Sequence, residues 1–531
     1  MSYVSHYTFI ELNATCFPQR LAFKLPQLES DDTSPHQKIL GWTDITYEKF
    51  LGDINWCAGY WLRKLQCPRG SLVGLWMSGL VYRDFVHLFG LIKAGFVPQL
   101  LNLKVHSIEI ATEYFRRSNI THIIYASNAP AAQLGNDFQI HEIIDRKLDQ
   151  SDKIADLHEP VLRKENGDDV VLIFNSSGST SGKPKLIPYT RKWIDGHARK
   201  PIPGLPNGTE IGIGINGIIH GSQFAFSLQQ FQNGACVVLM PWLEFTGPEL
   251  IQIITECKAN VLSQLTPIFS KTLREAMVNS ELRAALKSLS FVGCGGSVFG
   301  DNERLWAMEL GILVKNIYGT TEMGVTMLSG RDPIILHPFK LPGFVYEFID
   351  QDAEAEIKTK NANNRLVEAI VPSSSLDCPY PTFRDPIDGH FHTRDLFEEV
   401  EPNGFTYRGR LDDMIKMSKG QKCSTLFIES QVLLTCKDLV SACVVVGSGK
   451  PSPVLLVEPL EETTDTVLLK EMIGKKAELI NKDGFPHERV RSSDILIVPS
   501  GTIPRTPKGN INRNAAERLF QQEIDAFFDE E

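Results

Sequence analysis

The stretch NSSGSTSGKPKLIPY, residues 175–189, follows an apolar run and combines hydroxyls, Gly178, Gly182, Lys183 and Lys185. Backbone N–H groups with little side-chain cover, hydroxyls and cations suit a polyphosphate. The P-loop pattern G-x-x-x-x-G-K-[ST] does not fit. Only three residues separate Gly178 from Gly182-Lys183, and Pro184 stands where a hydroxyl would bind magnesium. The stretch also lacks the G-x-G-x-x-G of a kinase-type loop. A solvated Ser/Gly turn between two strands has the same composition, so the stretch alone leaves both readings open.

The elements around it set the context. DDVVLIF (168–174) reads as a buried strand running into the loop. Residues 46–66 carry apolar positions at helical spacing, with Thr46 as N-cap. GSLVGLWM (70–77) reads as a strand, 81–95 as a helix closed by Gly95, and ITHIIYA (120–126) as another strand. The alternation continues through strands 235–240 and 261–265 and helices 247–259 and 268–277. This is the pattern of a doubly wound α/β body. Near residue 370 the texture becomes Pro- and Ser-rich, and from about 410 a smaller unit follows. The tail 514–531 reads as one helix with an acidic end, exposed or opening a linker.

Composition narrows the function. The 531 residues are 42% hydrophobic and 22% charged, as in a globular protein with ample core. A net charge of −10 argues against a nucleic-acid surface. No apolar run is long enough to span a membrane, and the N-terminus lacks the pattern of a signal peptide. The ten cysteines are scattered without a C-x-x-C, which predicts free thiols in a reducing, cytoplasmic setting. No H-E-x-x-H spacing marks a catalytic zinc.

Five further segments follow in order: FVGCGGSVF (291–299), NIYGTTEMG (316–324), HTRDLF (392–397), YRGRLDDMIKMSKGQKC (407–423) and IPRTPKGNINR (503–513). With the opening loop they resemble the adenylate-forming superfamily of acyl-CoA synthetases, luciferases and nonribosomal-peptide-synthetase adenylation domains. The likeness covers nearly the whole chain. The DDMIKMSKGQK segment and the TPKGNINR ending are similar to fungal synthetase-like carboxylic acid reductases, which join adenylation, thiolation and reductase modules.

The resemblance implies an α/β fold. A large N-terminal adenylate-forming domain (1–410) would have two stacked mixed sheets with helices and a small β-barrel. A small, mobile α+β C-terminal domain (411–531) would end in a carrier-linker-like helix. It implies ATP and Mg²⁺ as cofactors and a small carboxylic acid as substrate. It also implies a phosphopantetheine-bearing carrier domain and a reductase domain as partners, with neither nucleic acid nor membrane. The acid attacks the α-phosphate, and a thiol then takes the acyl group; two anions must meet, so positioning and electrostatics dominate.

Residue by residue, Ser177, Gly178, Ser179, Thr180, Gly182 and Lys185 match the loop around the β- and γ-phosphates, with one additional residue near Ser181. Gly295, Gly296 and Ser297 match the turn along adenine, although Ser297-Val298 replaces the family's Ala-Pro. Tyr318, Gly319 and Thr320 match the adenine-side segment, Thr321 the α-phosphate contact and Glu322 the Mg²⁺ ligand. Asp395 and Arg410 match ribose and phosphate contacts, and Asp412 the hinge. His220 falls where the family places an aromatic residue or histidine near the substrate carboxylate. Phe224 and Phe226 beside it suit either an acyl pocket or core packing. The family's C-terminal lysine position holds Asn510, and Lys508, two residues earlier, is assigned its role. Aryl, small amino or betaine-like, and α-keto acids all stay open. So do transfer to free coenzyme A and a non-catalytic nucleotide- or acyl-binding role.

Overall fold

The computed structural model describes residues 7–29, 37–105, 107–145, 166–176, 185–200, 205–214, 216–350, 366–411, 414–418, 422–461, 465–483, 489–505 and 511–528. Its contacts group the chain into two compact units. One comprises Met1–Glu347 with Ile370–His392, the other Phe348–Ala369 with Thr393–Glu531.

The first unit contains two sheets. One runs in the order Gln139–Glu142, His122–Tyr125, Leu72–Met77, Val97–Asn102, Val170–Ser176, Lys185–Thr190. It is parallel except for the last pair, an antiparallel hairpin with Ser176 opposite Lys185. The second places Leu336–Pro338, Gly324–Ser329, Val314–Thr320, Phe291–Gly295, Val261–Leu265, Ile211–Ile213, Cys236–Val238, Leu21–Leu28 and Ile39–Thr46 side by side. Its middle is parallel and its flanks antiparallel. The central parallel strand FVGCG is a short apolar run buried along its whole length, as a strand covered on both faces must be.

The helix Tyr47–Leu65 starts where Thr46 accepts the Lys49 N–H at 3.2 Å. Its stripe of Phe50, Ile54, Cys57, Ala58, Trp61 and Leu65 is buried, each large side chain contributing about 1.5–3 kcal/mol. It crosses the helix Tyr82–Lys93 at Gly90, where a Cβ would lie 2.6 Å from the Cys57 sulfur. Gly95, at φ +87°, ends that second helix in the left-handed conformation glycine adopts freely. Phe23, Phe50, Phe89 and Phe231 meet edge-on at the centre of this core.

The second unit holds the antiparallel ribbon Phe391–Glu401/Gly404–Arg410 from Thr393 onward and a three-stranded sheet of Val440–Val446, Val454–Pro459 and Ile495–Ile497. Alternation divides that sheet's burial. Cys443, Val445, Leu455 and Val457 face the helices Thr425–Thr435 and Thr466–Asp483. Val444, Val446, Val454 and Leu456 face the tail. The tail is two helices, Arg513–Leu519 and Gln521–Ala526, not one. They break at Phe520 and bury Ala516 and Ile524 against the sheet. Glu517 accepts the N–H groups of Gly447 and Ser448 at 3.0 and 2.7 Å. The far sheet face is apolar and takes the tail as its cover, a tertiary demand that no local glycine or proline announces.

Among the described residues, no helix is long and apolar enough to cross a membrane, and no cluster of His, Cys, Asp or Glu could by itself hold a metal. All ten cysteines are free thiols.

Candidate active site

The segment YGTTEMG folds as the turn between the antiparallel strands Val314–Thr320 and Gly324–Ser329. Its glycines are set by close approach. A Cβ on Gly319 would fall 2.2 Å from the Gly324 carbonyl oxygen. Gly324 adopts φ +72°, and a Cβ there would meet His197 Nε2 at 1.9 Å. Thr320 Oγ1 accepts the Met323 N–H at 3.3 Å and closes the turn. Thr321 and Glu322 are half-buried at its tip. Tyr318 packs against a small cluster of Met323, Val371 and Cys378.

Two elements hold that tip. Tyr189, four residues along the strand from Lys185 and so about 13 Å away, donates its hydroxyl to the Thr321 carbonyl at 2.6 Å. Burial first, then the Glu322 charge, push the Tyr189 phenol well up, so it stays a donor. The second is the start of the helix Gly221–Gln232. A Cβ on Gly221 would lie 2.3 Å from the Tyr189 hydroxyl and 3.3 Å from Thr321 Cγ2. His220 is the N-cap residue of that helix, and its Nε2 lies 3.0 Å from Asn102 Nδ2. Asn102 ends the strand Val97–Asn102. His220, Thr321 and Glu322 are thus brought together, with Tyr189 and Asn102 as supports. No motif marks either support. Tyr189 closes the quoted NSSGSTSGKPKLIPY stretch, but its partner lies 132 residues away.

Gly295 and Ser297 form the adjacent turn. The strand Phe291–Gly295 pairs in parallel with Val314–Thr320, Gly295 opposite Ile317, so turn and hairpin leave the same carboxyl edge of the sheet. Thr266 Oγ1 lies 3.2 Å from the Gly295 carbonyl and 3.3 Å from that of Ser297. Gly296 takes φ +83° between them. Gly296, Ser297 and Gly319 are exposed, which leaves backbone open to a flat ligand. Such a carboxyl edge is where open α/β sheets bind ligands.

Phe224 answers the pocket-or-core question raised by the sequence. It is fully buried and packs on Phe89 and Phe174, so it belongs to the core. Phe226 packs beside Val261 and Phe291.

In the second unit, Asp395 stands opposite Arg410 in the ribbon. One Asp395 oxygen is 3.4 Å from Arg410 Nη1 and 3.4 Å from the Tyr407 hydroxyl. Asp395 is 4% exposed, while the Arg410 side chain is 40% exposed. Arg394, just before it, takes φ +58° and donates its N–H to Glu368 at 3.0 Å. Thr393 donates to the Ala369 carbonyl at 2.7 Å and accepts the Asp395 N–H. The TRD segment is therefore held by hydrogen bonds of the two residues before the aspartate and of the aspartate's own N–H.

Ser177, Gly178, Ser179, Thr180, Gly182, Asp412, Lys508 and Asn510 lie outside the described residues. Their flanks are fixed. Lys185, exposed, pairs with Ser176 across the loop's base. On one side of Lys508, Ile503 donates its N–H to Glu458 at 2.8 Å, and Arg505 bridges to Ile511. On the other, Asn512 donates its N–H to the Pro504 carbonyl at 2.8 Å, and Arg513 pairs with Glu429.

Residues 13–355 match the family model for AMP-binding enzymes, and residues 412–531 match that for the AMP-binding enzyme C-terminal domain. The AMP-binding domain-containing enzyme iboA of Amanita muscaria (strain Koide BX008) is 26% identical over 532 residues, covering 94% of this chain and 98% of that protein. The adenylate-forming reductase stbB of Stachybotrys bisbyi is 24% identical over 465 residues, covering 82% of this chain and 41% of the reductase. The chain thus spans the length of iboA but less than half of stbB. The fold matches the A domain of carboxylic acid reductase from Segniliparus rugosus, with TM-score 0.70 and 13% identity over 99% of this chain and 94% of that one. It also matches O-succinylbenzoate coenzyme A synthetase (MenE) from Bacillus subtilis, with TM-score 0.71 and 15% identity over 96% and 99%. The order of motifs, the turn and hairpin at one carboxyl edge of the second sheet and both family matches agree, and the chain belongs to the AMP-binding enzyme family, the adenylate-forming enzymes.

Proposed function

We propose that this chain activates a small carboxylic acid with ATP as an acyl-adenylate and passes the acyl group to the phosphopantetheine thiol of a carrier domain, serving a synthetase-like reductase. The observation that carries the reading is the meeting of His220, Thr321 and Glu322 around Gly221 and Tyr189. An imidazole for the acid's carboxylate, a threonine for the α-phosphate and a carboxylate for a cation then share one small region.

In this reading Glu322 holds Mg²⁺. A half-buried carboxylate beside a threonine suits a hard cation that takes only one or two protein oxygens and completes its shell with phosphate and water. The metal supplies charge neutralisation on the phosphates. Ser177, Gly178, Ser179, Thr180, Gly182 and Lys185 wrap the outer phosphates, and Gly295, Gly296, Ser297, Tyr318, Gly319 and Thr320 line the adenine. Asp395, whose two oxygens can accept two O–H bonds, takes the ribose with Arg410. Lys508 joins carboxylate and phosphate in the first half-reaction, and Asp412 is the hinge that lets the small C-terminal domain, from about residue 411, turn between half-reactions.

ATP–pyrophosphate exchange across a panel of acids tests the reading. Lys508→Ala should lower exchange by about 10²–10³-fold, the scale of losing one preorganised charge-stabilising group. Asn510→Ala should change it little. Tight ATP binding with no exchange for any acid would overturn the enzymatic reading.

A second acceptor, free coenzyme A, is favoured by the fold shared with O-succinylbenzoate coenzyme A synthetase. Thioester formation on coenzyme A without carrier protein would select it.

A further inference from the structure

Behind the hairpin, three buried side chains meet. His197, Lys200 and Asp377 are each wholly inaccessible. Lys200 Nζ lies 2.7 and 2.8 Å from the two Asp377 oxygens, donates to the Val325 carbonyl and lies 3.3 Å from His197 Nε2. An ammonium has three protons, and carboxylate, carbonyl and imidazole use them all. Tyr346 donates its hydroxyl to Asp377. His197 Nδ1 lies 3.2 Å from the Trp193 carbonyl, and the Met323 backbone on the hairpin also hydrogen-bonds the ring. Burial, then the Lys200 charge, hold this imidazole neutral.

The same face carries a stack of rings. Tyr189 lies on Trp193 at 3.8 Å and 29°, and Trp193 on His197 at 3.6 Å and 16°. Trp193 and His197 are four apart on the helix Arg191–Ala198, so they share a face. Three members of this assembly reach the hairpin. Tyr189 binds the Thr321 carbonyl, His197 abuts Gly324, and Lys200 binds the Val325 carbonyl.

We infer that the Lys200–Asp377 pair, with the Tyr189–Trp193–His197 stack, is a positioning device that fixes the hairpin from inside the large unit and so sets where Thr321 and Glu322 point. The inference rests on the proposed phosphate and magnesium roles of those two residues. Stability alone does not account for the pair, because apolar residues of similar volume commonly replace a buried ion pair without loss. What they cannot replace is the grip on a carbonyl of the hairpin.

The test pairs two variants with two readouts. Lys200→Met/Asp377→Leu removes both charges and leaves none unpaired. Tyr189→Phe removes only the hydroxyl on Thr321 and keeps the stack. Thermal unfolding is measured beside pyrophosphate exchange with saturating acid and titrated Mg²⁺. The double variant should unfold within a few degrees of the parent, yet lose about 10–100-fold in exchange kcat, the cost of misplacing reacting groups by about 1 Å. Its Mg²⁺ requirement should rise and its KM for the acid stay unchanged. Tyr189→Phe should lose about 10-fold in kcat, one hydrogen bond's scale. Parental kcat and Mg²⁺ dependence in a folded double variant would overturn the inference. If the double variant does not fold, Tyr189→Phe decides, and unchanged kcat there overturns it. A parent protein that exchanges pyrophosphate with no acid would mark failure of the functional reading instead. The positioning claim is then read by calorimetric binding of Mg·ATP, which both variants should weaken; unweakened binding overturns it.

Discussion

Asn102 donates a side-chain N–H to Nε2 of His220 across 3.0 Å. The direction follows from the other end of the amide. Asn102 Oδ1 accepts the Lys104 N–H at 2.8 Å, so the NH₂ group must be the end facing the ring. Nε2 is then an acceptor, and His220 is the neutral, Nδ1-protonated tautomer. Asn102→Asp would place a carboxylate against Nε2 and favour the imidazolium, raising the histidine's pKa. The acid limb of kcat/KM for pyrophosphate exchange should therefore move to higher pH, with the alkaline limb unmoved. A pH profile from about pH 5 to 9 checks this; an unmoved acid limb would remove His220 from the reaction.

Gly324 and Gly52 make opposite predictions from the same substitution. At Gly324 the backbone is left-handed and His197 occupies the space a Cβ needs. Gly324→Ala should destabilise the fold by about 1–3 kcal/mol or more and lower exchange as well. Gly52 lies within the helix Tyr47–Leu65 with nothing within 4 Å of a Cβ. Gly52→Ala should stabilise by about 0.5–1 kcal/mol and leave exchange unchanged. Urea unfolding of the pair provides an internal control.

Asp395 is nearly buried, and the contacts it accepts from Tyr407 and Arg410 are long, both 3.4 Å. Short bonds from two ribose hydroxyls would be stronger acceptor use. Asp395→Ala should weaken AMP binding by about 10–100-fold, the scale of one or two hydrogen bonds to a charged group. A 2′,3′-dideoxy analogue should bind parent and variant alike. Calorimetry with both nucleotides separates a ribose contact from a general loss of structure, which would weaken the analogue too.

The local elements were legible where periodicity and capping agree. Thr46 announces its helix, Val261–Leu265 is a strand with the expected ends, and Gly95 stands where a helix must stop. The helical tail was legible as helix but not as cover, because Ile524 reads as one more apolar residue until the face of Val444 and Val446 is known to need it. The supports of the candidate site were not legible for a related reason. Lys200 and Asp377 are 177 residues apart. A lone lysine reads as a solvated surface charge, since lysines are almost never fully buried unless paired. Motif spacing points to residues that face a ligand. It is silent on residues that face those residues, whose partners are chosen by the fold.

Glu210 sets a pH dependence apart from catalysis. Its carboxyl is 2% exposed. One oxygen accepts from Gln230 Nε2 at 2.8 Å, and the other is buried with no hydrogen-bond partner among the described residues. Burial pushes its pKa from 4.5 up to about 7, against the hydrogen bond from Gln230, which lowers it. The folded state therefore binds a proton that the unfolded chain has released between about pH 4.5 and 7, and this contribution to stability falls as pH rises through that window. The full difference is about 3 kcal/mol at 1.36 kcal/mol per pH unit. Glu210→Gln keeps the shape and the acceptor oxygen and cannot ionise. It should match the parent near pH 4.5, exceed it by roughly that amount above pH 7, and flatten the slope between. Urea unfolding at several pH values checks the sign: a parent more stable than Glu210→Gln at pH 8 would mean that the ionised carboxylate is favoured in the fold, with a cation satisfying the second oxygen.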